Sequence, residues 1–392
     1  MKKIGFVIPW YHKDIPGGAE MELRSVAGHL MAAGVEVEIL TTCVKDFSSD
    51  WTENFFAEGM DSADDIPIRR FKARKGNLNA FHQINSKLMN DIPITLKEED
   101  IFLEEMVNSP DMYRYIRDYK DEYHVFIFLP YMFGTTYFGI QACLDKAVMI
   151  PCFHDENYAY FQRFRELFGH VRGIIYNAEP EREFANKIYD LSKVREIVMG
   201  IGIDTGIKGD GVRFRDKYEI SDPYILYAGR KDSAKNVNTL IRYFAEYRKR
   251  NEGSLKLVLI GGGSIAIPPE IKDDVVDLGF LPTQDKYDAC AGAEFLCQPS
   301  RHESFSLVIM ESWLCGRPVL VEQNCEVTRQ FATDAKAGLY FGEYLEFEGC
   351  VNYFLDHPDV AETMGKRGRE FVQQKFDWDV IVEKYKEFLE KV

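Results

Sequence analysis

The predicted fold rests on residues 298–319, Gln298-Pro-Ser-Arg-His-Glu303-Ser-Phe-Ser-Leu-Val-Ile-Met-Glu311-Ser-Trp-Leu-Cys-Gly316-Arg-Pro-Val319. The apolar run Phe295–Cys297 just before this stretch predicts a buried strand. A loop with Glu303 follows, then a predicted helix from Phe305 to Leu314 and a second strand from Pro318 to Val321. This order of strand, helix and strand predicts a βαβ unit in a parallel sheet.

The same alternation extends upstream through the second half of the chain. Short apolar runs predict three further strands, and apolar residues at helical spacing predict two further helices. The strands are Tyr224–Ala228, Leu255–Ile260 and Val275–Leu278, and the helices are Asn238–Arg248 and Asp285–Gly292. We therefore predict a doubly wound α/β domain in this half.

The first half shows a separate series of the same kind. Its predicted strands are Ile4–Ile8, Val35–Leu40, Val125–Leu129, Val148–Cys152 and Gly173–Tyr176, and its predicted helices run from Ala19 to Ala33 and from near Thr135 to Leu144. Gly34 stands where a left-handed residue often ends a helix. The chain is thus predicted as two doubly wound parallel-sheet domains, and the cleft between them is the default ligand site.

The domain boundary is predicted in a glycine-rich stretch. Five of the twelve residues from Gly200 to Gly211 are glycine, and no apolar periodicity crosses them. We place the first domain at 1–203, the second at 204–375, and a terminal helix at 376–392.

Composition and charge narrow the classes of function. The chain has 392 residues, 46% hydrophobic and 28% charged, which is too apolar for disorder and too long for one ordinary core. The formal net charge of −15 opposes binding to nucleic acid. The eight cysteines include no Cys-x-x-Cys pair, and we predict reduced thiols in a cytosolic protein.

Membrane contact is expected to be peripheral at most. Residues 125–144 carry no charge, but Pro130, Gly134 and Gly139 break them into strand, turn and helix, so no transmembrane segment is predicted. The N-terminus lacks the pattern of a secretory signal. The basic cluster Arg69-Arg-Phe-Lys-Ala-Arg-Lys75 is interpreted as a solvated strand end, and an anionic acceptor or a lipid headgroup is its alternative partner. We expect a cytoplasmic protein, with contact at the inner face of the membrane left open.

Glu303 and Glu311 are the candidate ligand-binding side chains of the opening stretch. Carboxylates suit sugar hydroxyls because each oxygen accepts hydrogen bonds. The backbone amides of Ser306 and Leu307, at the start of the predicted helix, suit a phosphate group. A solvated glutamate on a surface helix is the alternative interpretation, because this spacing of two glutamates is common.

The residues around these glutamates resemble the glutamate-x7-glutamate motif of the GT4 family of retaining glycosyltransferases. Other fragments match that family in its order: Gly17-Gly-Ala-Glu20, Met199-Gly-Ile-Gly-Ile-Asp204, Tyr227-Ala-Gly-Arg230 with Lys235-Asn236, Leu259-Ile-Gly-Gly-Gly263 and Leu278-Gly-Phe-Leu-Pro282. The resemblance covers nearly the whole chain and implies the GT-B fold, two Rossmann-like domains facing a central cleft. Ser306 departs from the family's usual glycine, and Ser312-Trp-Leu314 from its alanine-methionine-alanine, so the identity of the donor stays open.

The resemblance implies a role for each matched residue. Catalytic roles fall to Glu303, Arg230, Lys235 and His154, and donor binding to Gly17, Gly18, Gly229, Gly262, Phe280, Leu281, Ser306, Leu307 and Glu311. The acceptor is expected in the first domain and the donor in the second. The apolar stripe of the terminal helix is expected to dock on the first domain.

No metal and no cofactor are expected, because the nucleoside-diphosphate sugar is itself a co-substrate. Asp377-Trp-Asp379 has the spacing of a metal-binding Asp-x-Asp motif, but we interpret it as a helix start with Asp379 as the N-cap.

The predicted function is transfer of a sugar from a nucleoside-diphosphate sugar to an acceptor hydroxyl, retaining and metal-independent, in surface polysaccharide or glycoconjugate synthesis. The acceptor is a glycan, a lipid-linked molecule or a small molecule. Two alternatives stay open: a nucleotide-sugar 2-epimerase on the same fold, and a non-catalytic glycosyltransferase-like partner subunit. The base, the sugar, the linkage and the oligomeric state are not predicted.

Overall fold

The computed structural model describes residues 2–15, 17–233 and 235–392. Its internal contacts divide the chain into two compact units. Unit 1 comprises Met1–Gly200 and Ile381–Val392, and unit 2 comprises Ile201–Val380. The predicted domain limits lie close by, after residues 203 and 375.

Unit 1 is an α/β sandwich built on eight strands. The strands are β1 (Lys3–Val7), β2 (Val37–Thr42), β3 (Gly59–Ala63), β4 (Ile66–Phe71), β5 (Tyr123–Phe128), β6 (Ala147–Met149), β7 (Gly173–Tyr176) and β8 (Arg195–Val198). Its helices before the domain boundary are α1 (Gly18–Ala32), α2 (Leu78–Met89), α3 (Leu96–Glu105), α4 (Pro110–Tyr119), α5 (Gly134–Ala142), α6 (Gln162–Phe168) and α7 (Glu179–Ile188). Short 3-10 turns lie at Lys120–Glu122, Leu144–Lys146 and Asn157–Tyr160.

The sheet of unit 1 runs in the order β3-β4-β2-β1-β5-β6-β7-β8. All neighbours are parallel except β3, which pairs antiparallel with β4. The central strands are buried throughout, as continuous apolar runs predict for a sheet covered on both faces. The hairpin β3–β4 and the helices α2 to α4 are additions that the sequence analysis did not predict.

Two predicted elements of unit 1 end earlier than expected. The strand predicted at Val148–Cys152 stops at Met149, since Pro151 has no N–H for a sheet ladder and Cys152 is left-handed, with φ of 55°. The helix predicted to reach Leu144 stops at Ala142. The residues between β6 and α6 therefore form a loop after the carboxyl end of the strand.

The interpretation of the basic cluster as a solvated strand end is wrong for its first two members. Arg70 is buried, with its guanidinium donating to the carboxylate of Asp61 and to the carbonyl of Tyr11, both at 2.9 Å. Arg69 is paired with Glu38 at 2.9 Å and lies over the ring of Tyr115. Consecutive side chains of a strand point to opposite faces of the sheet, so Arg69 and Arg70 in β4 meet different partners. Both are paired, and they do not form a basic patch exposed to solvent.

Unit 2 is built on six parallel strands. They are β9 (Tyr224–Ala228), β10 (Lys256–Ile260), β11 (Val275–Gly279), β12 (Phe295–Gln298), β13 (Val319–Glu322) and β14 (Gly338–Phe341). Its helices are α8 (Gly211–Tyr218), α9 (Val237–Arg250), α10 (Thr283–Gly292), α11 (Leu307–Leu314), α12 (Glu326–Ala335), α13 (Tyr344–Asp356) and α14 (Pro358–Lys375), and a 3-10 turn lies at Pro269–Asp274.

The sheet of unit 2 has the order β11-β10-β9-β12-β13-β14. The strand order reverses between β9 and β12, and the loops that follow these two strands meet at the same edge of the sheet. In doubly wound sheets this edge is where ligands bind. The predicted motif residues of unit 2 follow β9, β10, β11 and β12, and all lie at this edge.

The last helix, α15 (Trp378–Leu389), contributes its residues from Ile381 onward to unit 1. There Ile381, Tyr385, Phe388 and Leu389 are buried. The ring of Phe388 lies against Gly173 in β7, and the carbonyl of Leu389 is 2.6 Å from Nε2 of His124 in β5.

The start of α15 corrects one prediction. Asp377, not Asp379, lies at the cap position, because its Oδ1 accepts from the backbone N–H of Asp379 at 3.0 Å. Its Oδ2 accepts from the hydroxyl of Thr205 at 2.5 Å. Within the described ranges no three His, Cys, Asp or Glu side chains are grouped to hold a metal ion.

Two other features concern the described residues as a whole. None of their helices is both long enough and apolar enough to cross a bilayer. The eight cysteines are all free, and five of them are buried.

Candidate functional site

An ion pair between Lys235 and Glu303 joins two loops at the carboxyl edge of the sheet of unit 2. Nζ of Lys235, from the loop after β9, donates to Oε1 of Glu303, from the loop after β12, at 2.7 Å. Both side chains are largely shielded from solvent. Asn236 ties the same loops a second time, since its amide donates to the carbonyl of Pro299 at 2.9 Å. The structure thus brings together two of the predicted catalytic residues.

Arg230 is placed differently. Its guanidinium is exposed and pairs with Asp232 at 3.2 Å. Its carbonyl accepts from the hydroxyl of Tyr227 at 2.6 Å, which fixes the backbone at the end of β9. An exposed ion pair of this kind is weak, so the guanidinium can exchange Asp232 for an anionic ligand while the backbone stays fixed.

Glu311 lies on α11 and is almost fully buried. Its Oε1 accepts from Nζ of Lys286 at 2.5 Å, and its Oε2 has no protein partner. Burial raises the pKa of this carboxyl, although Lys286 acts in the opposite direction. A buried acceptor without a partner is costly, so Oε2 is suited to a hydroxyl supplied by a ligand.

Helix α11 begins two residues later than predicted. Leu307 is its first residue, and Ser306 precedes it as N-cap with φ of 78°. This left-handed conformation suits glycine better than serine. The hydroxyl of Ser306 accepts weakly from the amide of Gln298 at 3.4 Å, while Oε1 of Gln298 is buried without a partner.

The glycines of unit 2 form a tight turn beside these residues. Gly261 has φ of 121°, and a Cβ there would lie 2.0 Å from the carbonyl oxygen of Gly229. The N–H of Gly229 donates to the carbonyl of Ile260 at 2.9 Å. A Cβ on Gly262 would meet no atom within 4 Å. Gly261 is therefore needed for the close approach of the backbones, and Gly262 borders open space.

The buried side chain of Lys231 stabilises this turn. The sequence analysis did not predict a role for this residue. Its side chain is buried, and Nζ donates to the carbonyl of Gly261 and to Oδ1 of Asp277, both at 2.7 Å. Its backbone N–H donates to the carbonyl of Gly262 at 2.8 Å. Asp277 also accepts from the N–H of Gly279 at 3.0 Å. Lys231 thus ties the ends of β9, β10 and β11 together.

Phe280 and Leu281 follow β11 at the same edge. Phe280 is 79% exposed, although a phenyl ring is usually shielded. Gly279 before it is left-handed, with φ of 65°, which turns the chain sharply out of the strand. An exposed aromatic ring at this position is available to a flat ligand.

In unit 1, Gly17 and Gly18 open α1. Gly17 is the N-cap, and a Cβ on it would lie 1.9 Å from the carboxylate of Glu20. That carboxylate accepts from Nε1 of Trp10 at 2.5 Å. A Cβ on Gly18 would meet nothing within 4 Å. A side chain at Gly17 would therefore have to displace the carboxylate of Glu20, whereas Gly18 leaves open space at the helix start.

His154 lies in the loop after β6 and is half-buried. Beside it the structure shows a buried acidic cluster that the sequence analysis did not predict. Oε2 of Glu22 accepts from the amide of Asn177 at 3.1 Å and from the thiol of Cys152 at 3.8 Å. Glu181 accepts from the N–H groups of Phe153 and Asn177, both at 2.7 Å. Burial raises the pKa of Glu22 to about 7 and of Glu181 to about 8.

This cluster makes stability depend on pH. Above pH 4.5 the folded protein keeps protons that the unfolded chain releases, on Glu22 up to about pH 7 and on Glu181 up to about pH 8. The free energy of unfolding therefore falls as pH rises through this range. We expect this fall in the free energy of unfolding to be smaller in Glu22→Gln, by an amount on the order of 3 kcal/mol. Thermal melts from pH 5 to 9 measure it, with the exposed Glu36→Gln as control. Equal pH dependence in the wild type and Glu22→Gln would contradict this role for Glu22.

A family comparison covers most of unit 2. Residues 213–371 match the model described as "Glycosyl transferases group 1". This segment of unit 2 is therefore similar to that family of glycosyltransferases. The matched range contains Arg230, Lys235, Glu303 and Glu311, but the match does not assign roles to them.

Curated proteins similar to this chain agree with the resemblance seen in the motifs. D-inositol 3-phosphate glycosyltransferase of Acidothermus cellulolyticus is 28% identical over 230 residues, 53% of this chain and 48% of that protein. A Campylobacter jejuni enzyme named N-acetylgalactosamine-N,N'-diacetylbacillosaminyl-diphospho-undecaprenol 4-alpha-N-acetylgalactosaminyltransferase is 32% identical over 136 residues, 33% of this chain and 36% of that protein. The chain spans about half the length, or less, of these relatives.

Solved structures confirm the predicted fold class. Sucrose-phosphate synthase from Thermosynechococcus elongatus matches with a TM-score of 0.71 and 16% identity, covering 100% of this chain and 99% of that chain. Anabaena HepE in complex with UDP-glucose matches with a TM-score of 0.70 and 15% identity, covering 100% of both chains. The chain thus has the GT-B fold, with two parallel-sheet α/β domains.

Proposed function

We propose that the protein transfers a sugar from a nucleoside-diphosphate sugar to an acceptor hydroxyl, with retention at the anomeric carbon. The observation that carries this proposal is the buried Oε2 of Glu311, which has no protein partner. Glu311 follows Glu303 on the same loop–helix segment, and Glu303 pairs with Lys235 from the loop after β9. In this assignment Glu311 accepts hydrogen bonds from the ribose of the nucleotide. Glu303 accepts from hydroxyls of the transferred sugar.

The cations stabilise the leaving group. When the bond between the anomeric carbon and the diphosphate oxygen breaks, negative charge grows on that oxygen, and Arg230 and Lys235 are placed to offset it. The amides at the start of α11 add partial positive charge. The new bond forms from the acceptor oxygen on the same face, and the acceptor proton passes to a phosphate oxygen of the departing diphosphate.

The proposal does not require a metal ion. The carboxylate of Asp377 is engaged by Thr205 and by the N–H of Asp379, so it is poorly suited to hold an ion between two phosphates. We expect transfer to persist in excess EDTA. Loss of activity on chelation, restored by manganese, would contradict this part of the proposal.

UDP-glucose is the first donor to test, because the Anabaena neighbour binds it. We propose an acceptor in surface polysaccharide or glycoconjugate synthesis, the setting that the name of the Campylobacter relative suggests. In this setting the reaction takes place on the cytoplasmic side of the membrane.

A thermal-shift screen against UDP, GDP, ADP and their sugars tests the proposal. A ligand at 100 times its dissociation constant stabilises the folded state by about 2.7 kcal/mol. We expect the nucleotide and nucleotide sugars of one base to raise the melting temperature of the wild type. The same ligands should not raise the melting temperature of Glu311→Gln. Glu326→Gln, an exposed glutamate of the same unit, is the matched control. No shift with any nucleotide would contradict the proposal, and transfer of a sugar to an added acceptor excludes an epimerase.

A further inference from the structure

Unit 1 contains an aromatic pocket of about 510 Å³. Its walls come from the loop after β2, the loop after β5, and the helices α2 and α3. Its apolar lining includes Phe47, Trp51, Leu78, Phe81, Phe102 and Phe133. Because β2 and β5 are parallel neighbours of β1, both loops lie at the carboxyl edge of the sheet, where doubly wound domains bind ligands. The volume is that of a small-molecule site.

The aromatic rings hold the pocket open in a defined shape. The ring of Trp51 stacks on Trp10 with centroids 5.8 Å apart, and it contacts Phe81 at 5.3 Å and Phe133 at 6.3 Å. Phe81 and Phe133 are themselves buried. Trp51 is thus supported by several other rings and also lines the pocket.

The chemistry of the lining selects the kind of ligand. No lysine or arginine lines the pocket, and Asp50 and His82 are exposed, so a phosphate or carboxylate would find no paired cation inside. Tyr158, another lining residue, donates to Asn85 at 2.6 Å, which occupies the polar atom of its side chain. Ser48, Ser49 and Asn85 also line the pocket and can hydrogen-bond a few hydroxyls, but most of the lining residues are apolar. An uncharged apolar chain suits the pocket.

Apolar side chains continue from the pocket along α2. Leu78, Phe81 and Asn85 line the pocket at helical spacing, and Met89 follows one turn later. The hydroxyl of Tyr158 also lies 3.5 Å from the sulfur of Met89, so Met89 borders the pocket wall. Met89 is 70% exposed, and Ile92 of the next loop and Leu96 at the start of α3 are exposed as well. An apolar path thus leads from the pocket to the surface.

We propose that this pocket binds the apolar chain of an amphiphilic acceptor, a lipid whose polar headgroup carries the hydroxyl to be glycosylated. The proposal rests on the proposed function and names its acceptor class. The headgroup lies at the rim with Asp50 and His82, and the chain lies against Trp51 and leaves past Met89. The net charge of −15 means that apolar burial, not attraction to anionic lipid, supplies the affinity.

Alkyl glucosides of increasing chain length test this site without any donor, below their micelle concentrations. We expect tryptophan fluorescence and calorimetry to report binding that tightens by up to about fourfold per added methylene. Trp51→Phe should lose most of the fluorescence change and keep the calorimetric signal. Glucose and inositol alone should not bind in this range. Affinity independent of chain length, or equal binding of glucose, would overturn the proposal.

Two exposed phenylalanines provide a matched pair of variants. Phe47 and Phe55 lie in the same loop and are both 64% exposed, but only Phe47 lines the pocket. Phe47→Asp should weaken binding of the longest soluble glucoside at least tenfold, and Phe55→Asp should not. Unchanged melting temperatures show that both variants fold. Equal effects of the two variants would overturn the proposal, while nucleotide binding by unit 2 tests the proposed function separately.

Discussion

Replacing Glu303 by Gln is expected to lower turnover by about 100-fold or more and to leave affinity for the bare nucleoside diphosphate unchanged. Glutamine keeps the volume of the side chain but removes the charge that pairs with Lys235 at 2.7 Å. Removing one such electrostatic contact to a transition state commonly costs about 100- to 1,000-fold in rate. The bare nucleotide has no sugar for Glu303 to contact, so its binding should not change.

The comparison with Glu311 makes this prediction specific. Glu311→Gln alters the carboxylate proposed for the ribose, so it should weaken the bare nucleotide and the nucleotide sugar alike. Glu326→Gln, on the exposed face of α12, controls for the loss of one negative charge. Steady-state rates and calorimetric titration with the nucleoside diphosphate separate the effects. Equal loss of nucleotide affinity in Glu303→Gln and Glu311→Gln would refute the division of roles.

Removing residues 381–392 is expected to unfold or strongly destabilise unit 1. The segment buries Ile381, Tyr385, Phe388 and Leu389 against unit 1. Burying an apolar side chain contributes about 1.5–3 kcal/mol, so four of them contribute an amount comparable with the whole stability of a domain, about 5–15 kcal/mol. The proposed nucleotide contacts of unit 2 should survive, because none of these residues lies in that unit.

Thermal unfolding of the truncated chain, followed with and without nucleotide, measures this effect. Phe388→Ala is the milder variant, expected to lower stability by about 3–5 kcal/mol. Glu387→Ala, the exposed neighbour on the same helix, should change little. A truncated protein that melts like the full chain would show that the helix contributes no stability.

The sequence predicted five of the six strands of unit 2 and missed β14 (Gly338–Phe341). Tyr224–Ala228 was predicted with its observed bounds, because a buried parallel strand is a continuous apolar run with turn residues at each end. The hairpin β3–β4 was missed, since Gly59–Ala63 is short, polar and mostly exposed. The start of α11 was misplaced because the left-handed Ser306 leaves no helical signature in the sequence.

Contacts between residues that are far apart in the sequence could not be predicted from one sequence. Lys231 stands beside Arg230 in the chain, yet it is buried against Asp277 and Arg230 is exposed. Lys286 lies in an ordinary helix, and only the fold places it against Glu311. Glu22 follows the glycine motif of α1, but its meeting with Cys152 and Asn177 depends on β6 and β7. The spacing of residues in the sequence predicts which side chains lie on the same helix or strand. Which side chains contact each other across different helices and strands depends on how these elements pack.

In the glycine turn after β10, position 261 accepts only glycine, whereas position 262 can accept other residues. Every side chain at residue 261 would collide with the carbonyl of Gly229, whereas one at residue 262 enters free space at the carboxyl edge of the sheet. A saturation library at 262 is therefore expected to yield mostly folded proteins whose choice of nucleotide sugar differs. The same library at 261 should return glycine almost alone. Gly262 is a practical starting position for engineering the donor preference of this protein.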